Sequence, residues 1–331
     1  MVEVSAGVVS DRAGRLLICQ RGAGRKNAHL WEFPGGKLEP GESPSACLIR
    51  ELREELSLEI AVGEEFDTRE AQGIRFHFIR ADARNTPVPT EHEDVRFVPP
   101  RELLGYDFCP ADTPVARHLA FAGIRHAFWD FDGTLLDSYP AMVRAFVAGA
   151  AESGADVSPE KALSLMKINL WHCCVAVGAE NGIAPDTLLT AFRRHEKAEM
   201  AHGLPPVSGI PETLSALRDA GVTHYVATHR DRGCLALLEQ AGLGGFFADW
   251  VTEEDGLPRK PAPDMLLHLM ARHGLSPAEC VMIGDRPLDT EAGLAAGMLG
   301  VLLDPEERFN DAMCSVRVHS IDELNRMMNE E

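Results

Sequence analysis

Residues 127–134 read Ala-Phe-Trp-Asp-Phe-Asp-Gly-Thr, a short apolar run that stops on two aspartates two positions apart. A run of this length bounded by Asp and Gly predicts a buried strand, 127–130, followed by a tight loop. Further apolar runs follow at 222–228, 247–252, 280–284 and 299–303, with helical stretches between them. Such alternation predicts a Rossmann-like, doubly wound parallel sheet. Open sheets of this kind bind ligands beyond the carboxyl ends of their strands, where Asp130 and Asp132 fall. Residues 139–206 show only helical pattern and read as a helical insertion rather than part of the sheet.

Upstream the pattern differs. Strands are expected at 2–9, 15–20, 74–81 and 95–99, and helices at 43–56 and from 113 to about 123. Ser43 suits an N-cap and Pro44 the first helical position. A chain of 331 residues accommodates two ordinary domains. The expected division is 1–122 and 123–331, an α/β two-domain protein.

Composition narrows the function. Apolar content of 45% with 25% charged residues fits a folded globular protein. The net charge of −19 argues against polymeric nucleic acid, which is bound by replacing counterions with Lys and Arg. It leaves open nucleotides, whose phosphates arrive with Mg²⁺. The eight cysteines are scattered without a C-x-x-C pair, and no apolar run approaches a membrane span. Free thiols, no membrane partner and a cytoplasmic location are expected. The oligomeric state is left open.

Two constellations carry chemistry. In Arg50-Glu51-Leu52-Arg53-Glu54-Glu55, the three glutamates are spaced i, i+3 and i+4, so a helix projects them to one side. Clustered carboxylates repel one another, and a divalent cation with a taste for hard oxygen relieves that cost. Gly35-Gly36 upstream lets backbone approach a metal or a phosphate. A solvated acidic helix face is the competing reading. Residues 36–58 match the Nudix box, G-x5-E-x7-R-E-U-x-E-E-x-G-U, through Gly36, Glu42, Arg50, Glu51, Leu52, Glu54, Glu55 and Leu58, with Ser57 in place of the box glycine.

Residues 1–122 thus resemble a Nudix hydrolase, an α/β/α sandwich with a mixed sheet. Leu30-Trp31-Glu32-Phe33-Pro34-Gly35-Gly36 and Phe108-Cys109-Pro110-Ala111-Asp112-Thr113-Pro114 look like its MutT-type branch, which cleaves nucleoside triphosphates to monophosphate and pyrophosphate. The resemblance implies Mg²⁺, or Mn²⁺, on Glu51, Glu54, Glu55 and the Gly35 carbonyl. Glu42 supports the metals and Arg50 orients a glutamate. Glu54 and Glu91 are the implied catalytic residues, with Glu93 a rival to Glu91. Arg21, Phe33 and Asp112 would form the base pocket. Asp112 stands where a relative has asparagine, and a carboxylate there favours a base edge rich in donors. Asp112 as a helix N-cap and Phe33 as core packing remain equal alternatives.

In the second constellation, Asp130 is placed to attack phosphorus, while Asp132 protonates the leaving oxygen and then activates water. Thr228 ends a later strand, Lys260 lies in Arg259-Lys260-Pro261, and Asp285 and Asp289 lie in Gly284-Asp285-Arg286-Pro287-Leu288-Asp289. Residues 124–331 resemble the haloacid dehalogenase-like (HAD) hydrolases, of the phosphoglycolate-phosphatase-like group. The resemblance implies a phosphoaspartyl intermediate on Asp130, phosphoryl contacts from Thr228 and Lys260, and Mg²⁺ held by Asp130, Asp132, Asp285 and Asp289. Gly133, His229 and Arg230 are candidate substrate contacts. The helical block 139–206 resembles the small helical cap that covers such sites, and its Asn169, Trp171 and His172 are further candidates, with cap packing as the alternative.

The expected activity is a bifunctional Mg²⁺-dependent hydrolase of small phosphate substrates: triphosphate to monophosphate and pyrophosphate, then removal of the last phosphate. The alternatives are the same chemistries on a thiamin-type diphosphate or a nucleotide sugar, or a Nudix ligand sensor that regulates the phosphatase.

Overall fold

The computed structural model describes residues 1–329, and the chain divides into two compact units, residues 1–123 together with 326–329, and residues 124–325. The first unit contains β1 (Val2–Ser10), β2 (Leu16–Gln20), β3 (Trp31–Glu32), β4 (Gly35–Lys37), α1 (Pro44–Leu56), β5 (Ile60–Ala71), β6 (Ile74–Ala83), β7 (Asp94–Val98) and α2 (Thr113–Phe121). Its strands form one mixed sheet ordered β3-β2-β1-β6-β5, with β4 also paired to β1 and β7 to β2. β1 and β6 run parallel from Val2↔Ile74 to Ser10↔Asp82, and the other pairings are antiparallel.

Period-two alternation divides β1 and β2 between two cores. Val8, Leu16 and Ile18 pack with Val115 and Leu119 of α2. Val9, Leu17 and Cys19 pack with Leu48, Leu52 and Leu56 of α1. A helix therefore covers each face of the sheet, giving the α/β/α sandwich. β5 was not expected from the sequence. Its residues Gly63–Asp67 are mostly exposed and its register slips between Val62 and Asp67, so it lacks an apolar alternation.

At the start of α1 the Ser43 side chain accepts from the Ala46 N–H at 3.2 Å, with Pro44 at the first helical position. At its end Ser57 adopts a left-handed conformation, φ 48°, and donates its N–H to the Arg53 carbonyl at 3.1 Å. Serine thus makes the turn that glycine makes more cheaply. The following loop covers the remaining carbonyls: Thr90 N–H donates to Glu55 O at 2.9 Å and Val88 N–H to Leu56 O at 2.7 Å.

The second unit alternates strand and helix: β8 (His126–Trp129), α3 (Tyr139–Glu152), α4 (Pro159–Ile168), α5 (Leu170–Asn181), α6 (Pro185–Met200), α7 (Ile210–Asp219), β9 (Thr223–Ala227), α8 (Gly233–Gln240), β10 (Phe247–Val251), α9 (Asp264–His273), β11 (Cys280–Gly284), α10 (Pro287–Ala295), β12 (Leu299–Leu303) and β13 (Val316–Val318), with α11 (Ile321–Asn329) last. The sheet order is β10-β9-β8-β11-β12-β13, all parallel. Strands β11 and β12 are buried on both sides, as the interior of a parallel sheet requires. Helices α3–α6 lie between β8 and β9 and form the cap. Gly149 lets α3 and α6 approach closely, since a Cβ there would lie 2.9 Å from the Phe192 nitrogen. All eight cysteines are unpaired, and no helix among the described residues is long and apolar enough to cross a membrane.

Candidate active sites

β8 carries Asp130 to the carboxyl end of the parallel sheet, where its N–H donates to Ile283 O of β11 at 2.9 Å. Thr228 stands at the end of β9, with its N–H on Val251 O at 3.0 Å. Asp285 follows β11 directly, and Asp289 lies in the first turn of α10. Three chain segments, the ends of β8 and β9 and the β11–α10 junction, thus come to the same edge of the sheet.

Lys260 is the electrostatic centre of this site. Its side chain is 0% exposed, and Nζ lies 2.7 Å from Asp130 Oδ1, 2.6 Å from Asp289 Oδ1 and 2.8 Å from Ala227 O. Burial alone would lower its pKa, but Asp130 and Asp289 outweigh burial and raise it. Burial likewise works against an ionised Asp130, yet Lys260 and Arg286 hold that carboxyl below its ordinary value. Asp289 is pushed up to about 6 by burial and then by Asp130. Asp285 is raised by burial, only partly offset by Lys167 and Arg286.

Asp130, Asp285 and Asp289 each present an oxygen within 4.8 Å of the others, and all three are buried. Asp130 Oδ2 and Asp285 Oδ1 have no hydrogen-bond partner. Unsatisfied buried carboxylate oxygens are costly, and an all-oxygen set of this size suits a hard divalent cation. The residues present therefore fit a metal such as Mg²⁺.

Around this core the structure assigns several side chains differently from expectation. Gly133, φ 71°, donates its N–H to Leu136 O at 2.8 Å rather than to the open site. Its lack of a side chain is still required, because a Cβ would lie 2.4 Å from the Tyr139 ring and 2.6 Å from Asp285 Oδ2. His229 accepts the Lys260 backbone N–H on Nε2 at 2.9 Å, so it is neutral and holds the Lys260 segment. Burial and the nearby Lys260 lower its pKa to about 3. Arg230 turns inward onto Asp132, 2.9 and 2.8 Å from its two oxygens. In the cap, Asn169 accepts the His172 N–H at 2.6 Å and caps α5, while Trp171 is exposed.

Two residues of the site had no signal in the sequence. Lys167, from α4 of the cap, pairs with Asp285 Oδ2 and lies over the Tyr139 ring. Arg286 has its guanidinium 3.7 Å from both Asp130 Oδ2 and Asp285 Oδ1. Nothing in the spacing of a cap helix says which lysine points at the sheet.

In the first unit, Gly36 makes room for Glu51: a Cβ on Gly36 would lie 2.2 Å from the Glu51 carboxyl carbon. Gly35 pairs with Ala6 across the β4–β1 ladder, and a Cβ there would lie 1.9 Å from Ser5 O. Arg50 organises the acidic face. It donates to Glu42 at 3.0 Å and Glu51 at 2.9 Å, with Glu54 at 3.4 Å. Its hydrogen bonds hold the Glu42 carboxyl down to about 2.

Glu55 lies 3.8 Å from both Arg25 and His92, and burial, with Glu51 adding to it, raises its pKa. Glu51, Glu54 and Glu55 do not converge as the aspartates do. Among the described residues only the aspartate trio brings three such groups within 4.8 Å. Glu91 pairs with Arg25 and Glu93 with His29, both at the surface. His92 between them is 3% exposed, with Nε2 3.5 Å from Glu32 Oε1. Its flanking charges hid it in the sequence.

In the expected base pocket, Arg21 pairs with Glu32. Phe33 packs against Phe78 and Phe108 in the core, so the packing alternative describes its ring. The Asp112 side chain makes no N-cap bond. It is buried and accepts the Phe33 N–H at 3.1 Å, and burial, with Glu32 adding to it, raises its pKa to about 8.

A family model described as haloacid dehalogenase-like hydrolase matches residues 127–302, and one described as NUDIX domain matches residues 1–119. The CTP pyrophosphohydrolase of Escherichia coli (strain K12) is 41% identical over 132 residues, 38% of this chain and 96% of that protein. The chain belongs to both families, NUDIX and HAD. A phosphoglycolate phosphatase of Thiobacillus denitrificans is 31% identical over 177 residues, 51% of this chain and 78% of the relative. Among solved structures, a HAD family hydrolase from Deinococcus radiodurans, with bound phosphate and sodium, aligns at TM-score 0.52 and 24% identity. It covers 63% of this chain and 96% of its own. The magnesium-bound HAD-hydrolase YfnB of Bacillus subtilis aligns at TM-score 0.52 and 20% identity, covering 62% of this chain and 99% of its own. These two likenesses carry the fold. The chain is thus a fused pyrophosphohydrolase-type and phosphatase-type hydrolase.

Proposed function

We propose that the NUDIX unit, residues 1–122, cleaves a pyrimidine nucleoside triphosphate, CTP foremost, to monophosphate and pyrophosphate. The HAD unit, residues 123–331, then hydrolyses a phosphomonoester, with the product monophosphate its first candidate. The observation that carries the base preference is Asp112. A neutral buried carboxyl offers one donor and one acceptor, the complement of the N3 and N4 edge of cytosine. The CTP pyrophosphohydrolase relative supports the same base.

In the HAD unit, Asp130 attacks phosphorus while Lys260 and Thr228 hold the transferring group and balance its charge. Asp132 gives its proton to the leaving oxygen and then takes one from the attacking water. Mg²⁺ on Asp130, the Asp132 carbonyl, Asp285 and Asp289 would neutralise phosphoryl charge. In the NUDIX unit, Glu51, Glu54, Glu55 and the Gly35 carbonyl are the residues that would hold cations, and Arg50 with Glu42 orients them. Glu91 and the buried His92 both lie within reach of Glu55 for a role in water activation or its support.

A second reading of the HAD unit rests on Lys167 and Arg286, cations beyond the one needed for a phosphoryl group. They favour a substrate with a further anionic group, such as a phosphorylated carboxylic acid, and phosphoglycolate phosphatases are among the relatives. One panel separates the readings: NTPs and dNTPs, oxidised bases, nucleotide sugars, thiamin diphosphate, nucleoside monophosphates and phosphoglycolate, each with Mg²⁺. The relay predicts that Asp130→Asn accumulates CMP from CTP and Glu54→Gln leaves CTP uncut. Turnover of phosphoglycolate but not CMP would assign the units to separate substrates.

A further inference from the structure

We infer that the HAD site takes a phosphoanhydride as a further substrate, and that the compound it suits best is inorganic pyrophosphate, the second product of the reaction proposed for the NUDIX unit. The inference rests on reading both units as proposed, with Asp130 as the group that attacks phosphorus.

Two observations carry it. The first is the setting of Asp132. Arg230 Nε lies 2.9 and 2.8 Å from its two oxygens, and Arg230 Nη2 lies 2.8 Å from Oδ1. Ser138 Oγ donates to the same Oδ1 at 2.5 Å. Both oxygens are acceptors facing a guanidinium, the pattern of an ionised carboxylate. In this arrangement Asp132 can take a proton from water and has none to give. An alkyl ester departs as an alkoxide and needs a proton, so Asp132 must first come out of that pair. A phosphoanhydride departs as phosphate, which is stable as a dianion because its second ionisation lies at about 6.

The second observation is a surplus of cations. Lys260 and Thr228 are assigned to the transferring phosphoryl group. Beside them, the Arg286 guanidinium is 3.7 Å from both Asp130 Oδ2 and Asp285 Oδ1, and its buried Nε has no hydrogen-bond partner. Lys167 reaches the same place from α4, paired with Asp285 and 3.9 Å from the centre of the Tyr139 ring. A buried donor without a partner is costly until a ligand meets it, and both cation types suit phosphate oxygens. A second phosphate supplies those oxygens. A phosphorylated carboxylic acid would also meet the cations, but it would depart as an alkoxide. The anhydride answers both observations.

The steps balance for monoprotonated pyrophosphate. An Asp130 oxygen bonds to one phosphorus, the bridging P–O bond breaks, and its electron pair leaves with the second phosphate as hydrogen phosphate. Water then attacks the phosphorus held on Asp130, the ionised Asp132 takes the proton, and the bond to the Asp130 oxygen breaks. One pyrophosphate and one water give two hydrogen phosphate ions, and the proton passes from Asp132 to solvent.

The test compares phosphate release from pyrophosphate, acetyl phosphate, phosphoglycolate and ethyl phosphate by the full-length protein with Mg²⁺. Pyrophosphate and acetyl phosphate need no proton on the leaving group, pyrophosphate and phosphoglycolate carry a further anionic group, and ethyl phosphate has neither property. Pyrophosphate is expected to exceed phosphoglycolate about 100-fold in kcat/KM, the lower end of general-acid effects. Lys167→Met should narrow the lead of pyrophosphate over acetyl phosphate about 10-fold, the loss of one charge-assisted hydrogen bond. Asp130→Asn should abolish phosphate release from pyrophosphate, whereas Glu54→Gln should leave it intact. Phosphoglycolate or ethyl phosphate turned over as fast as pyrophosphate would overturn the inference, as would pyrophosphate cleavage that survives Asp130→Asn. An unaltered ratio in Lys167→Met would overturn the place given to the second phosphate. If none of the four compounds is hydrolysed, the phosphatase reading itself fails, a different result from any of these.

Discussion

In the HAD unit, aspartates from a strand end and a helix start are fully buried together around a lysine, whereas in the NUDIX unit glutamates from one helix and its leading loop stand partly open to water around an arginine, with Glu54 the most exposed. Lys260 is fully enclosed with Asp130 and Asp289. Glu54, by contrast, has 61% of its side chain exposed, beside an Arg50 that reaches Glu42 and Glu51. The difference follows from how each scaffold brings acids together. A parallel sheet gathers distant segments at its carboxyl edge, where helices shut water out. A helix gathers neighbours by its period and leaves them on its own surface. The first arrangement must carry its counter-charge inside the fold, and the second leaves much of that work to solvent.

The strongest challenge to this contrast removes the two cations in turn. Lys260→Ala leaves buried aspartates unpaired and should cost about 3–5 kcal/mol of stability as well as phosphatase activity. Arg50→Ala should cost less stability and reduce NUDIX turnover, because its pairs with Glu42 and Glu51 keep some contact with water. Urea unfolding of the full chain, followed by hydrogen exchange in β8 and β1, separates the units. Equal losses in the two variants would erase the distinction.

The same contrast explains what was legible beforehand. The NUDIX glutamates sit within one helical period, and Asp130 and Asp285 each close an apolar run, so both sets could be read as local patterns. The partners of those acids could not. Lys167 and Arg286 meet the aspartates, and Glu196 meets Arg230, only after the cap and sheet have folded. Arg230 and His229 looked like free side chains beside Thr228, and their actual partners, Asp132 and the Lys260 backbone, come from other segments. β5 escaped for a different reason: an edge strand rich in glutamate and broken in register carries no period-two signal. β13, at three residues, is too short for one.

A middle-sized effect should come from the buried acid of the NUDIX unit. Asp112 is raised to about 8, from an ordinary value of 3.8, chiefly by burial. Between those values the folded chain holds a proton that the unfolded chain has released. Its stability is then fully present below about pH 4 and falls as pH rises toward 8. Asp112→Asn removes the titration and keeps an acceptor for the Phe33 N–H. Melting curves of wild type and variant should nearly coincide at pH 5 and separate by pH 8, with the variant the more stable. Parallel curves at all pH values would mean that Asp112 titrates as an exposed carboxylate does, and would place it with the surface acids of α1.

The smallest effect tests the end of the glutamate helix itself. Ser57 closes α1 at φ 48°, where the Nudix pattern has glycine. A side chain in that conformation costs about 1 kcal/mol relative to glycine. The Asn85 side chain donates to the Ser57 carbonyl at 2.9 Å, and the Thr90 N–H to Glu55 O at 2.9 Å, so the turn is fixed from outside as well. Ser57→Gly removes the strain but loosens the unfolded chain, so the net gain should be about 0.5 kcal/mol. NUDIX activity should stay level, because Glu51, Glu54 and Glu55 precede the turn and the loop keeps its carbonyl partners. A fall in turnover with unchanged stability would show instead that serine at this position aligns the end of the helix on which Glu55 depends.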